Sequence, residues 1–226
     1  MSGWNSELFC TAFNKQQLPP SDSPEIVFVG RSNVGKSSLI NLLLGKKIAK
    51  VSSKPGKTRS INFYKISTKE GIAFNLVDIP GYGYAKRGFE ERKSWWKLID
   101  DYFNEDRNIS YVVHLIDFRH GPLVNDYELI DWLDSMNMPR LVVFTKGDKI
   151  SQGRKKGFYQ EHMKKGIVSV LPPFITSSVK DKESALLREG IVDVLKEMQL
   201  LDFKEEREAA KRNLRQQKTV EKDIIN

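Results

Sequence analysis

Eight consecutive residues limit this chain more than any others: Gly30-Arg-Ser-Asn-Val-Gly-Lys-Ser37, two glycines followed by a lysine and a hydroxyl residue. Ahead of them, Glu25-Ile-Val-Phe-Val29 is a short apolar, β-branched run suited to a buried strand. Behind them, Lys36 to Leu44 carries apolar residues at helical spacing. A strand runs into a glycine loop and the loop into a helix, the setting of the phosphate-binding pattern G-x-x-x-x-G-K-[ST]. Gly30 and Gly35 can take backbone angles that turn successive N–H groups towards one point, where the positive end of the helix completes a cradle for phosphate oxygens. Lys36 would then reach the β- and γ-phosphates, and the Ser37 hydroxyl would ligate Mg2+.

At 226 residues and 39% apolar, the chain suits one α/β domain of ample core, expected over 25–201, with an arm at 1–24 and a tail at 202–226. The excess of 37 Lys+Arg over 29 Asp+Glu favours a polyanionic partner such as RNA or an acidic membrane surface, although a basic surface without a partner stays open. Cys10 is the only cysteine, which excludes an internal disulfide or a cysteine zinc site and fits a reducing compartment. No apolar run is long enough to span a bilayer, and the start resembles neither a secretory signal nor a transit peptide. The expectation is a cytoplasmic protein with no membrane partner.

The arm, closed by Pro19-Pro20 and Pro24, reads as irregular, packing Leu8, Phe9 and Phe13 onto the domain. Gly45 to Ser60 is a basic loop by composition. Strands are expected over Ile61 to Ser67 and Ile72 to Val77, then a helix between Tyr82 and Asp106 with a stripe of Trp95, Trp96, Leu98, Ile99 and Tyr102. Tyr111 to Ile116 and Arg140 to Phe144 are continuous apolar strands, the mark of a parallel sheet covered by helices, with Leu129 to Met136 on the helix between them. A basic helix over Arg154 to Lys165, a strand over Ser169 to Thr176 and a helix over Glu183 to Leu201 follow. The tail is alternately charged and has no core of its own. His114 reads as a satisfied core histidine, and His120 and His162 lack metal-ligand spacing.

A phosphate loop alone does not separate kinases, ATPases and GTPases. Asp78-x-x-Gly81, however, ends a strand where an acid can hold Mg2+ through water while the glycine N–H meets a γ-phosphate. Thr145-Lys-Gly-Asp148 follows another strand, where Asp148 can accept paired bonds from guanine N1 and its exocyclic amine. Adenine lacks that donor pair. Lys146 would lay its stem along the base, and backbone N–H groups at Ser177-Ser178 would meet the guanine oxygen.

With these segments the chain resembles a Ras-like P-loop GTPase of the translation-factor class, and specifically the bacterial ribosome-biogenesis GTPases of the EngB/YihA/YsxC family. The resemblance rests on Phe28 to Asn41, Lys54-Pro-Gly-Lys-Thr-Arg59 with Ile61-Asn-Phe63, Asp78-Ile-Pro-Gly-Tyr-Gly-Tyr-Ala85, Arg119-His-Gly-Pro122 and Thr145 to Asp148, over roughly residues 8–200. It implies a single domain with a six-stranded, mostly parallel sheet and helices on both faces, GTP and GDP as ligands with Mg2+, and a role in assembling the large ribosomal subunit through rRNA and ribosomal proteins. The nucleotide-binding set then comprises Gly30, Arg31, Ser32, Asn33, Val34, Gly35, Lys36, Ser37, Ser38, Lys57, Thr58, Asp78, Gly81, Thr145, Lys146, Asp148, Ser177 and Ser178. Lys36, Thr58 and Gly81 serve hydrolysis, and Ser37, Thr58 and, through water, Asp78 hold the metal. Thr145 stands where most GTPases have asparagine, leaving the bracing contact of that position open.

Tyr82 stands where many Ras-like GTPases carry a glutamine that positions the attacking water, so slow intrinsic hydrolysis that needs a stimulating partner is expected. Asn33 either holds K+ against the phosphates or merely tolerates a tight-turn backbone. Lys46, Lys47, Lys50, Lys54, Lys57 and Arg59, with Lys86, Arg87, Arg92 and Lys93, form either an RNA-binding face or a solvated surface. A monomer is expected. The rivals are a phosphoryl-transferring kinase, against which Asp148 speaks, and a nucleotide-gated interaction module of septation or cell division.

Overall fold

In a computed structural model, which describes residues 4–49, 60–83, 89–177 and 183–202, the apolar runs become the inner strands of one seven-stranded sheet. The strands are β1 (Asn5–Ala12), β2 (Glu25–Gly30), β3 (Ile61–Ser67), β4 (Ala73–Asp78), β5 (Ile109–Asp117), β6 (Arg140–Thr145) and β7 (Phe174–Ile175), in the order β1-β3-β4-β2-β5-β6-β7. From β4 to β7 all pairings are parallel, whereas β1–β3 and β3–β4 are antiparallel. The connecting helices are α1 (Lys36–Leu44), α2 (Phe89–Phe103), α3 (Val124–Ser135) and α4 (Gln152–Met163), and residues 183–188 are helical.

All of β2 and β6 is buried, as strands covered on both faces must be. Val27, Val29, Val77 and Val112 pack with Leu98, Ile99 and Tyr102 of α2 and Leu129 and Leu133 of α3. Ile116, Phe118, Val142 and Phe144 pack with Phe158, Tyr159 and Met163 of α4. α4 contains Gly153 and Gly157, each costing about 1 kcal/mol against alanine in a helix. Phe158, Tyr159 and Met163 are half-buried against the sheet, and this packing, not propensity, holds α4 in place.

The sheet has one strand more than expected, because part of the arm read as irregular is β1. Its pattern hides the strand: only Ser6 and Ala12 are buried, and a bulge between Leu8 and Cys10 interrupts the alternation. Phe9 packs edge-on to Phe63 at 6.1 Å, while Leu8 and Phe13 are exposed and do not pack as the sequence suggested. Trp96, placed on the buried stripe of α2, is 39% exposed and meets Trp132 edge-on. The strand expected over Ser169 to Thr176 shrinks to Phe174–Ile175, since Pro172 and Pro173 have no N–H for the ladder.

The chain divides into two compact units, residues 1–188 and 189–226. The first holds the whole sheet, and its Arg188 donates to the carbonyls of Leu42 and Leu43 at the end of α1. In the second, described residues 189–202 are helical, with Ile191, Val194 and Leu195 buried. The tail from 203 onward lies outside the described residues. No helix among those described is long and apolar enough to cross a membrane.

β2 lies between β4 and β5, so the chain leaves it to both sides, and the carboxyl ends of β2, β4, β5, β6 and β7 open on one edge. The opposite edge is tied by a buried ion pair. Glu25 accepts from Tyr102 at 2.6 Å and from both Nε and Nη2 of Arg107 at 3.0 and 2.6 Å, while Arg107 Nη1 reaches Pro19 O in the arm. Truncating Arg107 leaves the Glu25 charge buried with no cation and only the Tyr102 hydroxyl, so Arg107→Ala should lower unfolding stability by about 3–5 kcal/mol, read as a shifted midpoint in urea.

Candidate functional site

The loop between β2 and α1 has the backbone that a phosphate cradle needs. Gly35 has φ 104° and Asn33 φ 63°, both left-handed, and no side chain caps the N-terminus of α1. A Cβ at Gly30 would lie 2.9 Å from Val34 Cγ1 and 3.0 Å from Leu115 O, so glycine is required where the loop leaves the sheet. Lys36 is buried and its ammonium bonds the Asp78 carboxylate, the last residue of β4. Ser37 and Ser38 are half-buried on the first turn of α1.

The segment after Asp78 lies directly on the loop. Ser32 N–H donates to Tyr82 O at 2.8 Å, Tyr82 N–H to Gly30 O at 3.3 Å, and the Ser32 hydroxyl to Gly81 O at 3.2 Å. A Cβ on Gly81 would come within 3.0 Å of the Ser32 backbone, so only glycine allows this approach.

The segment after β6 braces the loop from the other side. The Thr145 hydroxyl donates to Val34 O at 2.6 Å and approaches Ile116 O at 3.3 Å, which answers the question of what threonine does at that position. Lys146, itself left-handed at φ 59°, donates to Asn33 O at 2.6 Å. Gly147 N–H donates to Thr176 O at 2.9 Å, tying this segment to the one after β7. Asp148 lies 3.1 Å from Lys149. Its partial burial raises its carboxyl, but bonds from Lys149, a backbone N–H and the Ser177 hydroxyl outweigh this and hold it below the ordinary range.

Sequence reasoning missed Asp117, the last residue of β5. It accepts from Arg119 Nε at 2.9 Å and Nη2 at 2.7 Å and pairs with Lys146 Nζ at 3.0 Å. Burial pushes its carboxyl up, yet Arg119 and Lys146 more than compensate and hold it well below 3.8. The signal that found Asp78, an acid ending a buried apolar strand, was present at Asp117 too. Arg119, His120, Lys146 and Asp117 join Arg31, Ser32, Asn33 and Val34 around a cavity of ≈ 200 Å³ beside the loop. Lys57, Thr58 and Ser178 lie outside the described residues, as do Lys50, Lys54, Arg59, Lys86 and Arg87.

A family model described as "50S ribosome-binding GTPase" matches residues 25–146. A probable GTP-binding protein EngB of Petrotoga mobilis is 40% identical over 87% of this chain and 95% of its own length. That of Thermotoga petrophila is 43% identical over 84% and 96%. A crystal structure of a probable EngB aligns with TM-score 0.57 and 26% identity over 76% of this chain and 99% of its own. Era in complex with MgGDPNP and nucleotides 1506–1542 of 16S ribosomal RNA aligns with TM-score 0.64 and 26% identity, over 77% of this chain and 56% of its own. The fold is that of a P-loop GTPase. Within that class, the chain belongs to the EngB family of GTP-binding proteins.

Two measurements probe the bracing contacts. Thr145→Val keeps the volume but leaves Val34 O without its donor, and should weaken guanine-nucleotide binding about tenfold in a fluorescence titration. Because the folded Asp117 carboxyl is held below 3.8, its contribution to stability is present above that value and fades as the pH falls through and beneath it. Asp117→Asn should therefore reduce the loss of urea midpoint between about pH 5 and about pH 3.

Proposed function

We propose that this chain binds GTP, hydrolyses it slowly to GDP and phosphate, and acts as a nucleotide-dependent switch in assembly of the large ribosomal subunit. The observation that carries the reading is the meeting of the 30–37 loop, Asp78 with Gly81, and Thr145 to Asp148 at the carboxyl ends of adjoining parallel strands. In this reading the loop N–H groups and Lys36 hold the phosphates, Gly81 N–H meets the γ-phosphate, and Asp148 accepts from the guanine edge. Lys36 has to exchange Asp78 for the phosphates when nucleotide enters.

The donor set fits Mg2+. Ser37 and Asp78 offer hard oxygen ligands, and phosphate oxygens and water would complete the shell of a bound ion. Ser37 and, through water, Asp78 would hold the ion, joined by Thr58 in the GTP state; it supplies charge neutralisation on the phosphates. The Tyr82 ring is buried, so the residue after Gly81 offers no glutamine-like hold on water, which supports slow turnover stimulated by a partner. The left-handed backbone of Asn33 accounts for asparagine there without an ion; K+ dependence is read by exchanging KCl for NaCl in the turnover assay.

For the partner, the supports are the family model's description and the net charge of +8, with exposed Lys46, Lys47 and Lys93 among the described basic residues. The experiment is co-sedimentation with large ribosomal subunits at moderate and raised salt, with a non-hydrolysable GTP analogue, GDP or no nucleotide. Salt-resistant pelleting with the analogue alone is expected; equal, salt-sensitive pelleting in all three states would refute the switch. In a parallel titration GTP should bind and ATP should not, and Asp148→Ala should weaken GTP by about 10–100-fold, the worth of bonds to a charged acceptor.

A further inference from the structure

Tyr82 has a set of contacts that the reaction chemistry does not require. Its ring lies in the core with Val29, Val112 and Leu129, and its hydroxyl donates to Asp126 Oδ1 at 2.7 Å and meets His114 Nε2 at 2.8 Å. His114 on β5 and Asp126 on α3 are fully buried. The hydroxyl has one hydrogen, given to Asp126, so His114 presents Nε2–H to the phenol oxygen. Asp126 Oδ2 accepts the Leu123 N–H at 2.8 Å and stands 3.1 Å from Arg31 Nε. Burial, and then the Asp126 charge, push the phenol well above its ordinary value, so it stays a donor. Burial raises the Asp126 carboxyl, but contacts from His114, the Leu123 N–H and Tyr82 outweigh it and keep the group ionised.

This cluster anchors the only point among the described residues where the segment behind Gly81 bridges the phosphate loop. Arg31 and Tyr82 form a parallel bridge, with Ser32 N–H on Tyr82 O and Tyr82 N–H on Gly30 O. Arg31 belongs both to the loop and to the cluster. Breaking the phenol's bonds takes one donor from a buried carboxylate and leaves that oxygen desolvated, which makes the tether firm.

We propose that Tyr82 is a positioning residue: tethered to Asp126 and His114, it holds Gly81 against the phosphate loop before nucleotide arrives and so weights the site towards GTP over GDP. This rests on the reading of Gly81 N–H as the γ-phosphate contact. An N–H already in place needs no ordering when that phosphate arrives, whereas a released segment is ordered at the moment of binding. GDP has no γ-phosphate and draws on neither, so loss of the tether costs GTP about tenfold and leaves GDP unchanged.

The test uses the full chain with Tyr82→Phe, which keeps the ring and removes the hydroxyl, and Asp126→Asn. Affinities for GDP and a non-hydrolysable GTP analogue are measured alongside single-turnover hydrolysis. The proposal expects the analogue alone to weaken about tenfold in Tyr82→Phe, with little further loss in the double variant, since both residues act through one tether. Equal weakening of both nucleotides shows a merely structural role and overturns it, as does an unchanged ratio. Should Asp126→Asn fail to fold, Tyr82→Phe decides alone. Failure of the GTPase reading shows separately, as a wild-type chain that does not discriminate GTP from ATP.

Discussion

A loop that offers backbone N–H groups to a phosphate has few of them left to hold its own shape, and the rest of this site follows from that constraint. The loop is fixed chiefly through its carbonyl oxygens. Gly30 O accepts from the Tyr82 backbone, Asn33 O from Lys146 and Val34 O from Thr145, so two segments far apart in sequence clamp the loop from either side. Glycine at 30, 35 and 81 is the steric counterpart, because each marks a left-handed turn or a close backbone approach.

The cations of the site are arranged by the same logic. Lys36 meets Asp78, Lys146 and Arg119 share Asp117, and Arg31 faces Asp126. Buried or half-buried pairs of this kind contribute little net stability, since desolvation offsets most of the attraction. Their effect is placement: positive groups stand near one another without mutual repulsion, ready for an anion of higher charge. The acids sit at strand ends or at the start of a helix, where the ladder or the first helical turn fixes the backbone.

The edge away from the loop is built differently. There Glu25, Tyr102 and Arg107 join the start of β2 to α2 and to the arm at Pro19, with the Arg107 guanidinium over the Tyr102 ring at 4.9 Å. The arm continues into β1, which covers the outer edge of β3 that would otherwise present unpaired N–H and C=O groups.

Much of this was legible in the residues. The 30–37 loop, the buried strands of β2, β5 and β6, and the acid at 78 could be read because each uses a residue type with little freedom: glycine for positive φ, β-branched runs for two-faced burial, a carboxylate at a strand end. β1 was hidden because its buried positions are a serine and an alanine broken by a bulge, and β7 was overdrawn because proline removes ladder donors that composition does not weigh. By itself, then, the sequence determined the class of fold and the phosphate loop, whose local geometry and near neighbours suffice. Only the tertiary structure decided that Thr145 braces Val34, that Asp117 holds Lys146 and Arg119, and that Tyr82 turns inward to Asp126 and His114. Each of those contacts except Asp117 with Arg119 joins residues about thirty or more positions apart, and no periodicity in a chain encodes a distance across a sheet.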